Sequence, residues 1–505
     1  MTKYSADNVA GPLELGYAKR FYSPFTGFAG FYHYSSQVLI KDGAAAVFNN
    51  DVAKSYRNWN DGMTMTLFDW SSGVTTSKTD APGGDQWGNF SFHIGESVQE
   101  VDSHHNTASM VWGDDGRIYA RRGGDHYVTA AYDPAAGTWT KLTRLLHSPS
   151  PGFSSWGGDT TAFLNRWQDQ LVYRPGDTRN YTPYIGTDIS STAWENGTQG
   201  DWKTDIGPFV ADAEARTGMR YSDYPKINPD GIAVVAGRIT VAGVNKTAIQ
   251  ATSLATGEKL WSAQYNDSDS RTWGFYTSLA DYWRYIATDN GTFVTYTDAP
   301  TRTLRALNIT TGVSKWTKDI GSDHPALASH GNFVYIIGDT QQMKVNEQTG
   351  EVVWSHNNPF QGDYGYKNGL DVIYRPMALT DDTIWFIDGS EISGTHHNLV
   401  GMRTSDGQII QIIDLAAMVT ERTTIIPIFG AVEHIAAVND LVVADGKLGV
   451  LLGIRSWYDP NGGSDNALVY QDLFVFDVAQ VPEPASLALL CGGTIGLMLR
   501  RRKQS

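Results

Sequence analysis

Two aromatic clusters near the middle of the chain contain the side chains best suited to hold a sugar ring. They are Trp273-Gly-Phe-Tyr276 and Tyr282-Trp-Arg-Tyr285. Exposed aromatic rings stack on flat apolar faces such as those of sugars, and an arginine adds hydrogen-bond donors for hydroxyl groups. The alternative is that the rings pack between strands, because aromatic side chains bury large apolar areas in protein cores. The candidate ligand-binding residues are Trp273, Tyr276, Trp283 and Arg284.

Histidines and oxygen-rich loops are the candidate metal ligands, and neither has the spacing of a known metal motif. His104-His105 and His396-His397 are adjacent pairs. Neighbours on a strand point to opposite faces, so these pairs favour polar loops over a zinc site. The loops at 266–270 and 459–466 have oxygen ligands of the kind calcium prefers, but such runs are also typical of turns. We predict no resident cofactor, with calcium as the one cation left open.

Catalytic signatures are absent from the sequence. It contains no Gly-x-Ser-x-Gly elbow, P-loop or dinucleotide fingerprint. Paired carboxylates for glycoside cleavage are defined by their distance in space, so 54 acidic residues give no distinctive spacing. The one cysteine, Cys491, lies near the C-terminus and leaves the preceding residues without a thiol nucleophile or a disulfide. These observations favour a protein that is not an enzyme.

The composition excludes one class of partner and indicates a packed chain. The formal net charge is −15, which makes nucleic acid a poor partner because its affinity comes largely from neutralised phosphates. Only 18% of the residues are charged and 12% are aromatic, which argues against disorder. The 52 glycines are in keeping with many short strands joined by tight turns.

An internal repeat organises the middle of the chain. The pattern x-Thr-Gly-x₃-Trp occurs at Ala251–Trp261, Arg305–Trp316 and Met343–Trp354. In the second copy, Leu304, Ala306 and Ile309 can face a core. Gly312 is expected to give the positive φ of a two-residue turn, and Trp316 to clamp the outer edge of the hairpin.

The repeat resembles that of the quinoprotein-like (pyrroloquinoline-quinone-type) β-propellers. The segment Tyr132–Trp139 also resembles the Tyr-Asp-Pro…Trp element of kelch propellers, which have the same four-stranded blades. Either resemblance implies an all-β ring of blades and implies little about activity. The chain lacks the adjacent cysteine pair of quinone-dependent alcohol dehydrogenases, so we expect no bound quinone.

The spacing of turn glycines predicts the number of blades. They fall at 73, 137, about 197, 257, 312, 350 and 407. With a final blade at 448–478 this predicts a single eight-bladed propeller, seven blades being the alternative. The final blade has no Thr-Gly hairpin, so we expect the N-terminal segment to supply its missing outer strand. Gly231–Val244 is expected to form a hairpin, and residues 148–230 are the least regular part of the chain.

The C-terminal residues change character abruptly. Val481-Pro-Glu-Pro484 is followed by the uncharged stretch Ala485–Leu499 and then by Arg500–Lys503. This order resembles the PEP-CTERM sorting signal of bacteria, in which the exosortase reads the Pro-Glu-Pro and the apolar segment holds the protein in the membrane. The alternative is an ordinary tail-anchor helix with a proline cap. The predicted sorting residues are Pro482, Glu483, Pro484, Arg500, Arg501 and Arg502.

The sequence thus predicts three parts: an N-terminal strap at 1–30, a propeller at 31–480 and a sorting segment at 481–505 that includes a short transmembrane helix at 485–499. Met1–Arg20 has no continuous apolar stretch of the kind that a secretory signal peptide contains. We expect an exported protein that passes through an inner-membrane intermediate to the cell surface or the extracellular matrix. Its propeller is expected to bind an exopolysaccharide or a protein partner, and the alternative is a propeller enzyme acting on extracellular glycans.

Overall fold

The computed structural model describes strands and turns distributed over most of the chain. The described residues are 3–4, 13–22, 38–50, 63–80, 108–122, 126–146, 164–168, 170–173, 184–188, 202–204, 220–221, 226–241, 244–266, 285–297, 303–321, 325–338, 340–360, 377–388, 398–419, 423–426, 430–458 and 465–478. Their secondary structure is almost entirely β, with a single 3-10 turn at Ala416–Met418 among them. This confirms the predicted all-β class.

The described strands form eight sheets, and each sheet is one blade. Two N-terminal strands precede the blades: β1 (Lys3–Tyr4) and β2 (Leu13–Tyr22). Blade 1 contains β3 (Leu39–Lys41), β4 (Ala44–Asn50), β5 (Met63–Asp69) and β6 (Thr75–Asp80), and blade 2 contains β7 (Ala108–Trp112), β8 (Ile118–Arg122), β9 (His126–Asp133) and β10 (Thr138–Leu146). Blade 3 contains β11 (Leu164–Trp167), β12 (Gln170–Tyr173), β13 (Tyr184–Asp188) and β14 (Trp202–Thr204). Blade 4 contains β15 (Arg220–Tyr221), β16 (Lys226–Ile227), β17 (Ile232–Val241), β18 (Val244–Ser253) and β19 (Lys259–Asn266).

The second half of the ring has the same plan. Blade 5 contains β20 (Tyr285–Ala287), β21 (Thr292–Thr297), β22 (Thr303–Asn308) and β23 (Ser314–Asp319), and blade 6 contains β24 (Ala326–His330), β25 (Phe333–Ile337), β26 (Gln341–Asn346) and β27 (Val352–Asn357). Blade 7 contains β28 (Met377–Leu379), β29 (Thr383–Ile387), β30 (Asn398–Arg403) and β31 (Ile409–Asp414). Blade 8 contains β32 (Thr423–Ile426), β33 (Gly430–Ala444), β34 (Lys447–Tyr458) and β35 (Asp465–Val478). Eight blades are therefore observed, as the turn spacing predicted.

Each blade is an antiparallel meander, so its connections alternate between two faces of the ring. The turn between the first and second strands and the turn between the third and outer strands lie on one face, which we call the turn face. The other connections within blades, and those between blades, leave from the opposite face, which we call the loop face. Most stretches that fall outside the described residues join strand ends on the loop face.

The N-terminal strand closes the ring. β2 pairs antiparallel with β35 from Leu13↔Val478 to Tyr22↔Tyr470, and it becomes the outer strand of blade 8. This is the strand that the missing final hairpin predicted. The two residues of β1 pair in parallel with β28, the inner strand of blade 7. Both N-terminal strands are thus part of the propeller sheets.

The hydrophobic core lies between neighbouring blades. Phe68 and Trp70 of blade 1 pack against Leu451 and Leu473 of blade 8, and all four side chains are fully buried. Equivalent apolar clusters join blades 1 and 2, 4 and 5, 5 and 6, 6 and 7, and 7 and 8. Because each blade buries both of its faces against neighbours, its inner strands read as nearly continuous apolar runs.

Two local predictions require correction. Asn308 N–H donates to Val313 O at 2.8 Å and Gly312 N–H to Asn308 O at 2.8 Å, so the hairpin loop contains four residues and not two. Gly312 still has φ of +72°. The predicted hairpin at Gly231–Val244 is wrong in its position, because Ile232–Val241 is one strand that pairs with β18 along its length. Gly237 is therefore a strand residue and not a turn.

Among the described strands, the longest belong to blades 4 and 8. The strands β33, β34 and β35 have 15, 12 and 14 residues, whereas β21 and β22 of blade 5 have 6 each. In blade 4, β17 and β18 have 10 residues each. Since all the blades begin at the same layer of turns, the extra length rises on the loop face, by ~20 Å in blade 8 and ~13 Å in blade 4. In a ring of eight, these two blades stand opposite each other.

The predicted membrane helix at 485–499 falls outside the described residues, as does the rest of the sorting segment. No helix within the described parts of the chain has the length and the apolar character needed to cross a bilayer.

Candidate functional site at the ring closure and the exit of the sorting segment

The repeated hairpin turn is built by a side chain that caps its own loop. Asn308 Oδ1 accepts hydrogen bonds from the backbone N–H groups of Thr310 at 3.0 Å and Thr311 at 2.9 Å. Asn346 does the same in blade 6, and Asp133 in blade 2. Such side-chain caps replace the ladder partners that a turn lacks. The following glycine then returns the chain to the sheet at positive φ.

A tryptophan of each repeat docks on the glycine of the next blade. A Cβ added at Gly312 would lie 2.7 Å from the ring of Trp261, and one added at Gly350 would lie 2.8 Å from Trp316. Trp316 Nε1 donates to Glu347 O at 2.8 Å, three residues before that glycine. Trp354 makes the same contact with blade 7. Trp316 therefore joins two blades, and it does not clamp its own hairpin as the sequence suggested.

Tyr17 of β2 reproduces this contact where the ring closes. Its ring covers Gly73 of blade 1, at which an added Cβ would lie 2.6 Å away. Its hydroxyl donates to Trp70 O at 2.9 Å, again three residues before the glycine. Burial raises the pKa of the Tyr17 phenol, and the carboxylates of Asp69 and Asp477 raise it further. The sequence analysis missed Tyr17, because it occupies the tryptophan position of a blade assembled from both ends of the chain.

Blade 7 adapts the same position to hold the beginning of β2. Gln411 stands four residues after Gly407, where blades 4, 5 and 6 have tryptophan. Leu13 N–H donates to Gln411 Oε1 at 2.8 Å, and Gln411 Nε2 donates to Leu13 O at 3.2 Å. The amide thereby satisfies both backbone groups of the first residue of β2.

A charged pair fixes the register of the closing strand. Arg20 Nε and Nη2 donate to the two oxygens of Asp472 at 2.8 and 2.9 Å, and the two residues are direct partners across β2 and β35. The Asp472 side chain is only 7% exposed, so its carboxylate has lost most of its contact with water. The two hydrogen bonds from Arg20 offset the free-energy cost of that desolvation. Lys19 Nζ reaches across to Thr75 Oγ1 of blade 1 at 2.6 Å.

The turn face is a continuous layer of bonded turns. Within blade 5, Ile309 N–H donates to Gly291 O at 3.0 Å, and within blade 6, Glu347 N–H donates to Asn332 O at 2.9 Å. Between these blades, Asn290 Nδ2 donates to Gly331 O at 2.7 Å. These bonds join the turns of blades 5 and 6 into one layer.

Glu347 is the most deeply buried carboxylate in this layer. It is fully buried, and its Oε1 accepts from Thr292 Oγ1 at 3.2 Å and Gln348 Nε2 at 2.8 Å. Lys315 Nζ donates to Thr292 Oγ1 at 2.6 Å and to Gln348 Oε1 at 2.8 Å. Burial lowers the pKa of Lys315, and the nearby Glu347 opposes that shift. The cluster joins blades 5 and 6, with Glu347 and Thr292 buried and Gln348 exposed at its edge, as expected of a structural contact.

Candidate metal ligands do not cluster in the described parts of the chain. No group of three His, Cys, Asp or Glu side chains lies close enough together in the described parts of the chain to hold a metal ion. The cysteine pair of quinone-dependent dehydrogenases has no counterpart, since Cys491 is the one cysteine. Hydrogen bonds lower the pKa of Asp69, chiefly from the Ser71 hydroxyl, and the pKa of Asp406, chiefly from Gln408 N–H. A general acid needs the opposite shift.

Most of the sequence-predicted candidates fall outside the described residues. The aromatic candidates Trp273, Tyr276, Trp283 and Arg284 belong to the connection between β19 of blade 4 and β20 of blade 5, which leaves from the loop face. Tyr285, at the end of that cluster, begins β20 and is buried, 1% exposed. Both histidine pairs and the loop centres at 267–270 and 459–464 are likewise outside the described parts.

The sorting segment leaves the propeller from the turn face. The long strands of blade 8 are β33, β34, β35 and the outer β2, with the short β32 added beside the start of β33. β35 runs toward the turn face, because Asp477 pairs with Lys447, directly after the turn at Asp445-Gly446. Lys447 Nζ also forms an ion pair with Asp477. The last described residue, Val478, pairs with Leu13 and lies four residues before Pro482. The segment therefore begins at the point where the two ends of the propeller chain meet.

Comparison with protein families identifies both parts of the chain. Residues 222–356 match the family model of the outer membrane protein assembly factor BamB, a PQQ-like repeat. Residues 480–503 match the PEP-CTERM protein-sorting motif. The chain thus carries quinoprotein-like propeller repeats followed by a PEP-CTERM motif, as the sequence predicted. The motif implies exosortase processing and membrane anchoring of an exported protein that passes to the cell surface.

One of the similar solved structures supports the fold, and a second is similar at a lower score. A europium-containing methanol dehydrogenase is similar at 11% identity, with 94% of this chain and 96% of that chain covered and a TM-score of 0.52. BamB from Moraxella catarrhalis is similar at 13% identity over 92% of this chain and all of its own, with a TM-score of 0.46. At such identities the likeness concerns the fold alone. A search of curated protein sequences found no match.

Proposed function

We propose that this chain is a non-enzymatic surface or matrix protein of a bacterium, in which the propeller binds a polysaccharide or a protein partner. The observation that carries the proposal is the PEP-CTERM motif at 480–503, which directly follows the last strand of the closed ring. The tail crosses the membrane as a helix at 485–499 in an inner-membrane intermediate, and the exosortase then releases the propeller to the surface or the matrix.

A binding role is supported by how the ring is built. Side chains such as Trp316, Tyr17 and Glu347 join neighbouring blades. The ring is therefore a rigid frame for the connections that leave from its loop face. Rigid scaffolds that carry variable loops are typical of binding proteins. The matched family model is named for an assembly factor, which is in keeping with this role. Among the two partner classes, we favour a polysaccharide because of the aromatic residues at 273–284.

The proposal is tested by co-sedimentation of the protein with the exopolysaccharide of its own host. We expect the wild-type protein to bind, and Trp273→Ala and Trp283→Ala to reduce binding about tenfold with an unchanged melting temperature. Val313→Ala, a substitution at an exposed turn-face residue, should bind like the wild type. Absence of binding by the wild-type protein would contradict a polysaccharide ligand. A lower melting temperature in the tryptophan variants would show that these rings pack in the core.

A further inference from the structure

The direction of β35 and the short spacer behind it determine how an anchored propeller can stand on a membrane. β35 delivers the chain to the turn face at Val478. Six residues, 479–484, separate it from the apolar stretch that begins at Ala485. A fully extended chain spans at most ~3.5 Å per residue, so this spacer covers no more than ~21 Å.

The loop face is too far from this exit to reach the same membrane. β35 has 14 residues and extends ~46 Å from its start on the loop-face side to its end on the turn face. To place the top of blade 8 against the bilayer, the spacer would have to run back along the whole strand. Because ~46 Å is more than twice the reach of the spacer, this orientation is excluded while the apolar stretch is in the membrane.

We infer that the anchored propeller holds its turn face toward the membrane and presents its loop face, with the raised sheets of blades 4 and 8, to the outside. This inference rests on the proposed membrane anchoring. It adds that the loop face is the surface available to a partner outside the cell. Blades 4 and 8 stand opposite each other, so their raised strands rise on two opposite sides of the loop face. A polymer outside the cell meets this bordered face first.

The chemistry of the turn face agrees with a membrane-side position that is not itself adhesive. The turns between first and second strands carry an acidic residue in blades 1, 2, 4, 5, 7 and 8, namely Asp42, Asp115, Asp230, Asp289, Asp382 and Asp445. Lys41, Arg117 and Lys447 lie beside these carboxylates, so the described turns form no polybasic cluster of the kind that anionic headgroups attract. The spacer, and not adsorption of the face, therefore keeps the propeller close to the membrane.

Fluorescence quenching in proteoliposomes tests the orientation. The full chain is labelled at one introduced cysteine in a Cys491→Ser background and inserted into vesicles of neutral and anionic phospholipids with nitroxide-labelled headgroups. Ala255→Cys places the probe at an exposed turn-face residue of blade 4, far from the exit. Asn357→Cys places it at the exposed loop-face end of the outer strand of blade 6. We expect quenching at 255 to be stronger than at 357, because 255 lies on the face that is held toward the membrane.

Three outcomes separate this inference from the function on which it rests. Flotation with the vesicles and stronger quenching at 255 support the orientation. Flotation with equal quenching at both sites, or stronger quenching at 357, overturns the orientation and leaves the anchor intact. A protein that lies on its rim would also give no excess at 255, because blade 4 is opposite the tethered blade. Failure of the full chain to float contradicts the anchor itself, and the orientation falls with it.

Discussion

At the scale of single residues, the ring is held by aromatic rings placed on glycines of the following blade. The glycine has two functions at these positions, since it provides a positive φ and leaves room for the ring. Gly312 has φ of +72° and contacts Trp261, whereas Gly137 has φ of +66° and has no neighbour within 4 Å of an added Cβ. The two positions therefore separate backbone strain from lost packing.

We predict that Gly312→Ala destabilises the propeller more than Gly137→Ala. Both substitutions place an alanine in the left-handed region, at a cost of about 1–2 kcal/mol. Only Gly312→Ala also displaces a docked tryptophan, which adds about 1–3 kcal/mol. The melting temperatures of the two variants, measured beside the wild type, test this. Equal losses would show that the tryptophan contact contributes nothing beyond backbone strain.

Tyr17 gives a second prediction at this scale, in the dependence of stability on pH. Its raised pKa means that the folded state retains the phenolic proton at a pH where the unfolded chain has lost it. The contribution of Tyr17 to stability is therefore complete below pH 10.0, the ordinary tyrosine value, and declines as the pH rises above it. Burial also raises the pKa of Tyr119, and it raises that of Tyr335 to about 12, so the comparison must isolate Tyr17.

The variant that isolates it is Tyr17→Phe, which retains the ring and removes the titrating group. We expect the variant to be less stable than the wild type at pH 8, because Trp70 O loses its donor. The difference should shrink between pH 10 and pH 11 in thermal unfolding experiments. A difference that stays constant over this range would mean that the Tyr17 hydroxyl titrates alike in the folded and unfolded states.

At the scale of secondary-structure elements, β2 is what turns a row of blades into a ring. Arg20, Lys19 and Tyr17 all reach neighbouring strands, and Leu13 is held by Gln411 of blade 7. Removing one partner of a largely buried ion pair such as Arg20–Asp472 costs about 3–5 kcal/mol, so the closure is anchored by more than backbone pairing.

A disulfide test measures the register of this strand. Glu14 and Asp477 are direct partners, whereas Lys447 lies one strand further from Glu14. In a Cys491→Ser background, Glu14→Cys with Asp477→Cys should form a disulfide under mild oxidation and raise the melting temperature. Glu14→Cys with Lys447→Cys is a matched control, because both pairs remove the Lys447–Asp477 ion pair.

The control pair should stay reduced, since its Cα atoms are two strand spacings apart, at ~9.6 Å, and disulfides require less than ~7 Å. Non-reducing gel electrophoresis and mass spectrometry of the linked peptides distinguish the two variants. Efficient cross-linking of the control pair, or none in the first pair, would contradict the observed register.

The repeat made the fold predictable. The blades that differ from the repeat show where prediction from the sequence ended. The x-Thr-Gly-x₃-Trp pattern located the turns, because few residues other than glycine adopt positive φ. It could not reveal that each tryptophan docks on the next blade, since that contact is between units and not within one. The sequence analysis missed Tyr17 and Gln411 for the same reason. In blades 8 and 7 they replace the tryptophan of the repeat with a phenol and an amide. Their correspondence to the tryptophan becomes visible only once the ring is closed.

The candidate ligand site was less predictable than the fold. Aromatic residues such as Trp273 and Trp283 can serve a core or a sugar equally well, and the pattern contains nothing that separates the two uses. The raised strands of blades 4 and 8 have no motif either. Their height follows from the pairing of β17 with β18 and of β34 with β35, which is a property of register between distant residues.

At the scale of the whole molecule, the two ends of the described propeller chain, Leu13 of β2 and Val478 of β35, meet on the turn face. The closure by β2 and the exit after β35 occupy the same corner of blade 8, so processing after Pro484 would leave the ring intact. The propeller and its tail are therefore separable in function.

The most direct measurement is the identity of the C-terminal peptide of the native protein, determined by mass spectrometry of the membrane and secreted fractions of its host. We predict that the surface or secreted protein ends near Pro484 and lacks Arg500, Arg501 and Arg502. This result would establish exosortase processing and place the propeller outside the cell. A protein that retains its Arg-rich end in the membrane fraction at steady state would contradict processing and leave a simple membrane anchor.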